Sequence, residues 1–501
     1  MQDATRTRRC LTILVNLTSV DLLVQLWPTV RRVARLVHRF RKARSSPEAL
    51  FEFESSLLQL LREMGRLIVQ WTVNRLEPED RHQMPAQLIW DGEYYRLRFK
   101  SPLRNLNCLF GPIVLRRYCY QPLEAFGRCL FPLELQLGIV CGVATPALAD
   151  CVARMSADLT QRQLLDQLRD QRGVHWGVPT LRKLTQAMAA SMGEHRHEGQ
   201  VQQLLLWLKQ AADSSGPRRF TLSVGRDGVM VPIAKSEKYK EAAAATVSVL
   251  DRWGRRIGTV YLGQMPESGQ ATLSEQLTHL LNDVLQRWDG LLPRLTYVTD
   301  CGYHQTEYFE QVLSQMRNPC RPHEFLDWEW IVDYYHACQY ITQLAEAIFG
   351  PGREAFAWAA KQRKVLKEKT GGCFRVLRSA AALRSIRGLV GTDDAYWSAY
   401  HYLRNRAGKM DYPNYRRLRL PIGSGVTEAA CKTVFTQRFK QSGMKWTIEG
   451  GKTVLTLRVI ALSGIWDQVR KAMLQSYILP TPVTPVKSFQ LPLQNDRRIA
   501  V

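Results

Sequence analysis

The region between residues 220 and 300 constrains the fold of this chain most strongly, because strand and helix patterns alternate along it. Three apolar runs bounded by turn residues are followed by an amphipathic stretch and then by a fourth apolar run. The predicted elements are strands at Phe220–Pro232, Ala243–Leu250 and Gly258–Gln264, a helix at Thr272–Trp288, and a strand at Arg294–Asp300. This order predicts an open α/β sheet, whose binding sites form beyond the carboxyl ends of the strands.

After these elements the chain adds one more strand and then turns helical. Phe325–Val332 is a candidate fifth strand, and residues 336–420 have a helical pattern with breaks at 350–352 and 370–372. Three strands, a helix and a fourth strand form the first half of an RNase H-like sheet. Residues 336–420 are therefore a predicted helical block that interrupts the α/β pattern.

The stretch of residues 421–446 restores the α/β pattern and begins with Gly-Ser-Gly, which is typical of a flexible turn. Either Ser424 or Thr427 could cap the helix that the sequence predicts over Glu428–Lys440. Glu428 lies in the first turn of that helix, where the helix dipole favours a carboxylate. Two interpretations stay open for this residue. It serves only the dipole, or it is a metal ligand beside a phosphate-binding surface, since basic residues follow it.

The charge balance limits the classes of function. Lys and Arg number 69 against 45 Asp and Glu, which gives a net charge of +24 and an isoelectric point near 9.8. A polyanionic partner is expected, and nucleic acid is the commonest one. An acidic membrane surface is the alternative, but no apolar run approaches the ~20 residues that span a bilayer.

The eleven cysteines contain no CxxC pair, so neither a disulfide framework nor a zinc ribbon is indicated. Cys108, Cys119 and Cys129 match no standard zinc spacing and are expected to be buried thiols. The N-terminus also lacks a secretory pattern. These features predict a protein of the reducing cytoplasm.

The N-terminal part of the chain divides into two patterns. Residues 1–87 are predicted to be helical, with amphipathic helices at Thr29–Arg44 and Glu48–Asn74. Residues 88–134 alternate apolar and polar positions, which predicts a small segment of short antiparallel strands.

Residues 135–213 return to a helical pattern that contains a possible helix-turn-helix. A helix, a break at residues 173–177 and a second helix from Pro179 give this layout. Arg182 and Lys183 lie on the candidate recognition helix. An ordinary helical hairpin has the same layout, so DNA reading and simple packing both stay open here.

Three acids occupy positions that a sheet of this kind could bring together. Asp227 lies near the middle of the first strand, Asp300 ends the fourth, and Glu428 begins the helix after the Gly-Ser-Gly turn. Carboxylates at one sheet edge could hold two Mg²⁺ ions for phosphoryl transfer. Taken one at a time, Asp227 is explained as a turn residue, Asp300 as a helix cap and Glu428 as a partner of the helix dipole. On a chain this basic, the metal interpretation is favoured.

Several motifs occur in the order of a known family. They are Asp227-Gly228, Val298-Thr299-Asp300, Asp333-x-x-His336, Gly423-Ser424-Gly425-Val426-Thr427-Glu428, Gln437-Arg438-Phe439-Lys440 and Ser442-Gly443-Met444-Lys445-Trp446. With these motifs, residues from about 100 to 470 resemble the DDE-type transposases of bacterial insertion sequences. The nearest group is the ISKra type, which is related to the Mutator-like transposases. Residues 421–446 are the most specific part of the resemblance. The resemblance also implies that residues 336–420 are an all-α insertion between the fifth strand and the Glu428 helix.

The resemblance implies roles for the motif residues. Asp227 and Asp300 are implied as the two metal-binding aspartates and Glu428 as the third catalytic acid, with two Mg²⁺ (or Mn²⁺) ions as cofactors. His336 is implied to lie near the scissile phosphate or the transferred strand. A structural imidazole at a strand-to-helix junction is the alternative for His336.

The resemblance also implies the partners. These are double-stranded DNA, both the terminal inverted repeats of the transposon and the target, and a second copy of the chain in a homodimer or higher oligomer. The place of action would be the cytoplasm, at the bacterial nucleoid, with no membrane. The residues predicted to contact DNA near the acids are Lys432, Arg438, Lys440, Lys445 and Trp446, with a core position as the alternative for Trp446.

The chain departs from the family in two respects. Family members often carry a cysteine-rich zinc segment ahead of the catalytic domain, which Cys119 and Cys129 cannot complete. Asp327 and Glu329 also lie on the fifth strand candidate, so either could replace one of the three acids.

The predicted domain plan places the catalytic domain at residues 214–335 and 421–475, with a disordered tail at 476–501. The expected function is metal-dependent hydrolysis at transposon ends followed by strand transfer into target DNA. A nuclease without strand transfer and a non-catalytic DNA-binding regulator are the alternatives.

Overall fold

The computed structural model describes residues 20–100, 102–123, 127–319, 321–387 and 394–477, together with the backbone of residues 484–485. The chain forms two compact units. The first contains Met1–Val152, Thr160–Ala187 and Leu474–Val501, and the second contains Ala153–Leu159 and Met188–Met473.

The elements are numbered in chain order over the described residues. The helices are α1 Val20–Lys42, α2 Pro47–Val73, α3 Pro132–Gln136, α4 Pro146–Ser156, α5 Gln161–Arg172, α6 Val178–Asp213, α7 Ala271–Arg287, α8 Tyr303–Gln311, α9 Tyr334–Phe349, α10 Arg353–Glu368, α11 Gly372–Ile386, α12 Asp394–Asn405, α13 Tyr412–Arg417, α14 Gly425–Ala430, α15 Gln437–Phe439, α16 Ile448–Leu462 and α17 Trp466–Ser476. The strands are β1 Gln87–Trp90, β2 Glu93–Leu97, β3 Arg104–Cys108, β4 Gly111–Leu115, β5 Tyr120–Pro122, β6 Thr221–Val231, β7 Lys240–Leu250, β8 Arg256–Gln264, β9 Arg294–Thr299, β10 Arg317–Asn318, β11 Arg321–Phe325, β12 Trp328–Val332 and β13 Thr484–Pro485.

In the first unit, α1 and α2 form a helical hairpin, as the amphipathic patterns predicted. Ser46 caps α2, because its side chain accepts a hydrogen bond from the Ala49 amide at 3.1 Å. The helices are joined by a ring stack of Phe40 on Phe53, with centroids 4.4 Å apart. The part of the predicted helical region before Val20 lies outside the described residues.

The predicted short strands of the first unit are confirmed as antiparallel pairs. β1, β2 and β5 form one sheet, to which β13 adds by pairing with β1, and β3 pairs with β4. Cys108 and Cys119 are buried and outside any disulfide, as expected, whereas Cys129 is only partly buried, so the expectation of a buried thiol is wrong there. Because β13 is a strand, the prediction of a disordered tail is wrong at residues 484–485, and it is also wrong at Ser476, which ends α17.

The predicted helix-turn-helix layout is present as α5, a turn and α6. Thr160 forms a capping box with Gln163 at the start of α5, and Gly173 ends the helix in the left-handed region at φ 62°. The second helix is longer than the sequence pattern indicated, since it continues to Asp213 and contributes to both units.

The second unit is built on a five-stranded mixed sheet with the order β12-β9-β6-β7-β8. β6, β7 and β8 form an antiparallel meander, whereas β9 runs parallel to β6 and β12 runs parallel to β9. The predicted α/β architecture is therefore confirmed, and α7 connects β8 to β9 as expected.

Both faces of the sheet are covered, which explains why nearly all of β7 is buried. Alternate residues of β7 belong to two separate cores. Ala243, Ala245 and Val247 pack with apolar residues of α6, α7 and the helical block, whereas Ala242 and Ala244 pack with α14, the segment after it and α16. Successive side chains of the strand point to opposite faces of the sheet, so alternate residues of β7 enter different cores.

The fifth strand of the sheet differs from the prediction. It begins at Trp328 instead of Phe325, because β11 pairs back on β10 in a hairpin that the sequence pattern did not indicate. Asp327 consequently lies before β12, at the amino end of the strand. Glu329 lies on β12 and hydrogen bonds with Tyr415. Neither residue lies at the carboxyl ends of β9 and β12, so they do not replace the predicted acids.

The predicted helical block is confirmed as α9 to α13, with breaks at the expected glycines. Its apolar residues are continuous with the core on one face of the sheet. The predicted last helix is divided into α16 and α17 at Ser463-Gly464, where Gly464 adopts φ 71°.

Candidate active site

Asp227 and Asp300 lie level with one another on neighbouring parallel strands. β6 and β9 pair from Thr221 with Arg294 onward, and each aspartate follows its member of that first pair by six residues. Adjacent strands are about 4.8 Å apart. The sequence order of strands therefore suffices to bring these two acids to the same level of the sheet.

Glu428 reaches the same region because α14 packs closely on β6 and β7. Thr427, the preceding residue, is buried, and its Oγ1 lies 2.8 Å from Thr246 Oγ1. Gly225 lies beneath this contact, and a Cβ there would be only 2.0 Å from Thr427 Oγ1. A glycine in the strand thus permits the close approach of the helix that carries Glu428.

The ionisation of Asp227 depends on the other two acids. Burial, and secondarily the charges of Asp300 and Glu428, raise the pKa of Asp227 to about 6, while a hydrogen bond from the Gly228 amide opposes the rise. Cys431 Sγ lies 3.5 Å from Asp227 Oδ2. Burial and the nearby Asp227 carboxylate raise the pKa of the Cys431 thiol, so it remains protonated and donates to Asp227.

A fourth carboxylate, that of Asp333, is buried beside this group. Asp333 accepts a hydrogen bond from the Tyr335 amide at 2.7 Å at the start of α9. The Ser424 hydroxyl donates to Asp333 and lies 3.3 Å from Glu428 Oε1. Ser424 is at the N-cap position of α14 but makes no capping bond, and Thr427 lies inside the helix. The prediction of Ser424 at the cap position is therefore confirmed and that of Thr427 is wrong, but the Ser424 hydroxyl contacts two carboxylates instead of a helix amide.

His336 lies on the first turn of α9, and one of the rings that it contacts, Tyr402, reaches the backbone of Asp300. Its ring packs edge-on against Tyr340 and Tyr402, with centroids 5.3 and 5.7 Å away. The Tyr402 hydroxyl donates to the Asp300 carbonyl at 2.8 Å. His336 is half-buried, so both a role toward substrate and a packing role are compatible with its position.

The three predicted acids form a set suited to divalent cations. No Lys, Arg or His among the described residues forms an ion pair with Asp227, Asp300 or Glu428 within 4.0 Å. Their ligand oxygens do not all lie within 4.8 Å of one another, so one ion could not be held by all three at once in this arrangement. Two ions, usually about 3.5–4 Å apart, would divide the acids between them and take further oxygens from phosphate and water.

The residues predicted to contact DNA divide into two groups. Lys432, Lys440 and Lys445 are exposed, and so are Arg182 and Lys183 on α6 in the first unit. These positions remain available for phosphate contacts.

Arg438 and Trp446 have structural contacts instead. Arg438 is 2% exposed, and its guanidinium donates to the Leu159 carbonyl at 2.9 Å. The Trp446 indole is half-buried, donates to the Phe439 carbonyl at 3.1 Å and lies 4.6 Å from the Phe439 ring. The prediction that Arg438 contacts phosphate is therefore wrong for this conformation, and Trp446 takes the core position that was its alternative.

The helix after Glu428 contains the π-helical segment Cys431–Thr436, a feature that often marks functional sites. The buried Arg458 guanidinium donates to the carbonyls of Thr433 and Val434, the latter at 3.0 Å. Arg458 thus stabilises the segment that positions Cys431 beside Asp227.

Sequence reasoning missed three contributors to this site: Cys431, Tyr402 and the close contact at Gly225. For Gly225 a signal was present, since an isolated glycine within a strand often marks a close backbone approach. Nothing in the local sequence distinguishes Cys431 from any other buried thiol.

Comparison with known proteins adds little about function. No protein-family profile matches the chain. A protein of Streptococcus gallolyticus named "UPF0236 protein in vanSb 3'region" is 20% identical to it over 445 residues, which is 86% of this chain and 87% of that protein. The similarity therefore extends over most of both chains.

No helix in the described part of the chain combines the length and the apolar character that a membrane span requires.

Proposed function

We propose that this chain is a DDE-type DNA transposase with an RNase H-like catalytic domain. The observation that carries the proposal is the convergence of Asp227, Asp300 and Glu428, which come from three separate segments and influence one another electrostatically. The strand order β12-β9-β6-β7-β8, with only β7 antiparallel to its neighbours, supports the RNase H-like assignment. The helical block between Asp333 and the Gly-Ser-Gly turn agrees with the all-α insertion of the family.

Asp227, Asp300 and Glu428 would hold two Mg²⁺ or Mn²⁺ ions, since hard cations prefer carboxylate oxygens. When bound at such a site, the ions activate the attacking oxygen and stabilise the leaving oxygen of a phosphodiester. The chain's own contribution is positioning. Ser424 and the buried Asp333 orient Glu428 through the shared hydroxyl, and Tyr402 fixes the backbone of Asp300.

The high positive charge and the exposed lysines after Glu428 support DNA as the substrate. Lys432, Lys440 and Lys445 would neutralise backbone phosphates near the acids. His336 would contact the scissile phosphate or the transferred strand. Two transposon ends require at least a homodimer, and the reaction would occur in the bacterial cytoplasm, at the nucleoid.

The test is Mg²⁺-dependent cleavage and strand transfer on DNA that carries the terminal repeats of the element. Wild type is compared with Asp300→Ala, Glu428→Ala and the matched control Glu449→Ala. Glu449 is also an exposed glutamate in the first turn of a helix, but it lies on α16, away from the acids.

We expect cleavage by wild type and Glu449→Ala, and none by Asp300→Ala or Glu428→Ala, although both still bind DNA. Cleavage that persists in Glu428→Ala would exclude it as the third acid. Cleavage without joining of pre-cut ends would identify a nuclease, and binding without any cleavage would identify a regulator.

A further inference from the structure

A second group of possible metal ligands lies between α6 and α7, apart from the three acids. His197 belongs to α6, and His279 and Asp283 lie four residues apart on α7, so their side chains emerge from the same helical face. Among the described residues, this is the group whose ligand atoms all come within 4.8 Å of one another. It is not part of the proposed DNA reaction.

Two distances between the ligand atoms bracket the separation expected around a tetrahedral ion. His197 Nε2 lies 2.7 Å and His279 Nε2 lies 4.0 Å from Asp283 Oδ2. Bonds of about 2.1 Å to zinc place neighbouring tetrahedral ligands roughly 3.4 Å apart, and the observed distances lie on either side of that value. The two imidazole rings are 4.2 Å apart at an angle of 33°. Small side-chain rotations therefore suffice to place all three atoms around one ion.

The helices that carry the ligands are held in place by the core. Val201 and Leu204 on α6, and Leu280 and Val284 on α7, are fully buried in the same apolar cluster. The backbone on either side of the ligands is thereby fixed before any ion arrives, which reduces the cost of organising the site. The side chains of His197 and Asp283 are 30% and 21% exposed, so ions can reach them from solution.

The surrounding charges permit a cation. Arg287 lies 3.6 Å from Asp283, but it is also bound by Glu198, to which its Nη1 donates at 2.8 and 3.0 Å. The two carboxylates and one guanidinium together carry one net negative charge.

We propose that His197, His279 and Asp283 bind a single zinc-like transition-metal ion that fastens α6 to α7, with water as the fourth ligand. Two imidazoles and one carboxylate favour Zn²⁺ over Mg²⁺, because Mg²⁺ requires mainly oxygen ligands. This site is chemically distinct from the three-acid site, and its existence does not depend on the proposed transposase activity.

His279→Ala is the decisive variant. In the metal-free protein, His279 Nε2 is 4.0 Å from its nearest carboxylate oxygen and its side chain is 64% exposed, so the substitution should leave the fold intact. The matched control is His323→Ala, which removes an exposed histidine on β11. All measurements use the full-length chain with Asp300→Ala as the background, so that the three-acid site does not contribute.

Zn²⁺ binding is followed by titration calorimetry and by the absorption of bound Co²⁺. We expect one equivalent of Zn²⁺ to bind to the background protein and to His323→Ala, with at least a roughly 10–100-fold loss of affinity in His279→Ala. Zn²⁺ should also raise the unfolding midpoint of the first two proteins only. Identical binding in His279→Ala, no binding at all, or a thiolate-to-cobalt charge-transfer band that persists in His279→Ala would each overturn the proposal.

Discussion

Replacing Gly225 with alanine tests how α14 is held on the sheet. The new Cβ would lie 2.0 Å from Thr427 Oγ1 and 3.1 Å from Thr246 Oγ1. Both threonines are buried, and their hydroxyls share the hydrogen bond of 2.8 Å. Because a β-branched side chain has few alternative rotamers, Thr427 can move only by breaking this bond or by displacing the helix.

The expected loss of stability combines two unfavourable effects with one smaller favourable effect. Overpacking of a well-packed site costs about 1–3 kcal/mol. Leaving a buried hydroxyl without its partner costs a further ~1–3 kcal/mol. Lower entropy of the unfolded chain returns about 0.4–1 kcal/mol, since alanine is less flexible than glycine. We therefore expect Gly225→Ala to lower the free energy of unfolding by roughly 2–4 kcal/mol.

A double-mutant cycle with Thr427→Ala isolates the contact. Thr427→Ala removes the atom 2.0 Å away and leaves Thr427 Cβ at 3.2 Å, a separation that small adjustments tolerate. In that background Gly225→Ala should cost less than about 1 kcal/mol, so the coupling energy should be ~1–3 kcal/mol. Gly228→Ala is the control, because its Cβ would meet only the flexible end of the exposed Glu241, at 1.8 Å, and should change stability by about 0.5 kcal/mol or less.

The assay is urea unfolding of all five proteins in metal-free buffer, with the midpoint compared at constant slope. An equal cost of Gly225→Ala with and without Thr427 would refute the contact as the cause. A cost of Gly228→Ala as large as that of Gly225→Ala would show that any side chain in β6 is harmful. If the cycle gives the expected coupling, Gly225→Ala should also weaken Mg²⁺-dependent cleavage, because Glu428 moves with α14.

Three further predictions address charge. Asp227→Asn should stabilise the metal-free protein at pH 7 by on the order of 1–3 kcal/mol. Burial keeps the pKa of Asp227 near 6, so the native state binds more protons than the unfolded chain between pH 4 and 6. The wild-type protein therefore loses stability as the pH rises through that window. Arg458→Met should lower the free energy of unfolding by about 1–3 kcal/mol, measured by urea unfolding, because it removes the buried donor to the carbonyls of Thr433 and Val434. Replacing Lys432, Lys440 and Lys445 together with alanine should reduce the slope of log binding constant against log salt by up to about 3, measured by fluorescence anisotropy with duplex DNA.

Each of these three predictions would be contradicted by a specific result. Stability of the Asp227→Asn protein that equals wild type at pH 7 would mean that the carboxylate is well solvated. An Arg458→Met protein as stable as wild type would mean that water serves the freed carbonyls equally well. An unchanged salt slope in the triple lysine variant would exclude this surface from the DNA interface.

The sheet, and the placement of Asp227 and Asp300 at nearly the same level of it, could be predicted from the sequence. Both depend on the period of apolar residues within each strand and on the order of the parallel strands. The predicted bounds place Asp227 seven residues after Phe220 and Asp300 six residues after Arg294, which is within one residue of the same level, and the pairing of Thr221 with Arg294 sets the register. The position of Glu428 in a first helical turn was also predictable, because the Gly-Ser-Gly turn directly before it marks the start of the helix.

The error at Arg438 had a signal in the sequence. Arg438 lies four residues after Val434, hence on the buried face of the same helix. Its charge suggested exposure, but a guanidinium that finds carbonyl acceptors can be buried. The acceptors, Ser156 and Leu159, lie almost 280 positions away in the chain, and no local pattern connects them with Arg438.

The His197, His279 and Asp283 group was also beyond local reasoning. The spacing of His279 and Asp283 is visible on one helix, but His197 is 86 residues from Asp283 and joins them only because α6 and α7 share a core. The hairpin of β10 and β11 is a similar case, since it shortens the fifth strand through pairing that its sequence does not indicate.

The distribution of arginines around the three acids supports a cation-binding role for them. In a chain of net charge +24, a nearby guanidinium could easily neutralise buried or clustered carboxylates. Arg438 and Arg458 lie on the helices nearest to Glu428, yet both donate to backbone carbonyls, and Arg458 also pairs with Asp158. Asp227 therefore remains close to two other carboxylates without a compensating cation, and its pKa is raised by burial first and by the charges of Asp300 and Glu428 in addition. Such an arrangement lowers the stability of the metal-free protein, and a bound divalent cation would remove that cost. Mg²⁺ should therefore raise the unfolding midpoint of wild type but not that of Asp227→Asn.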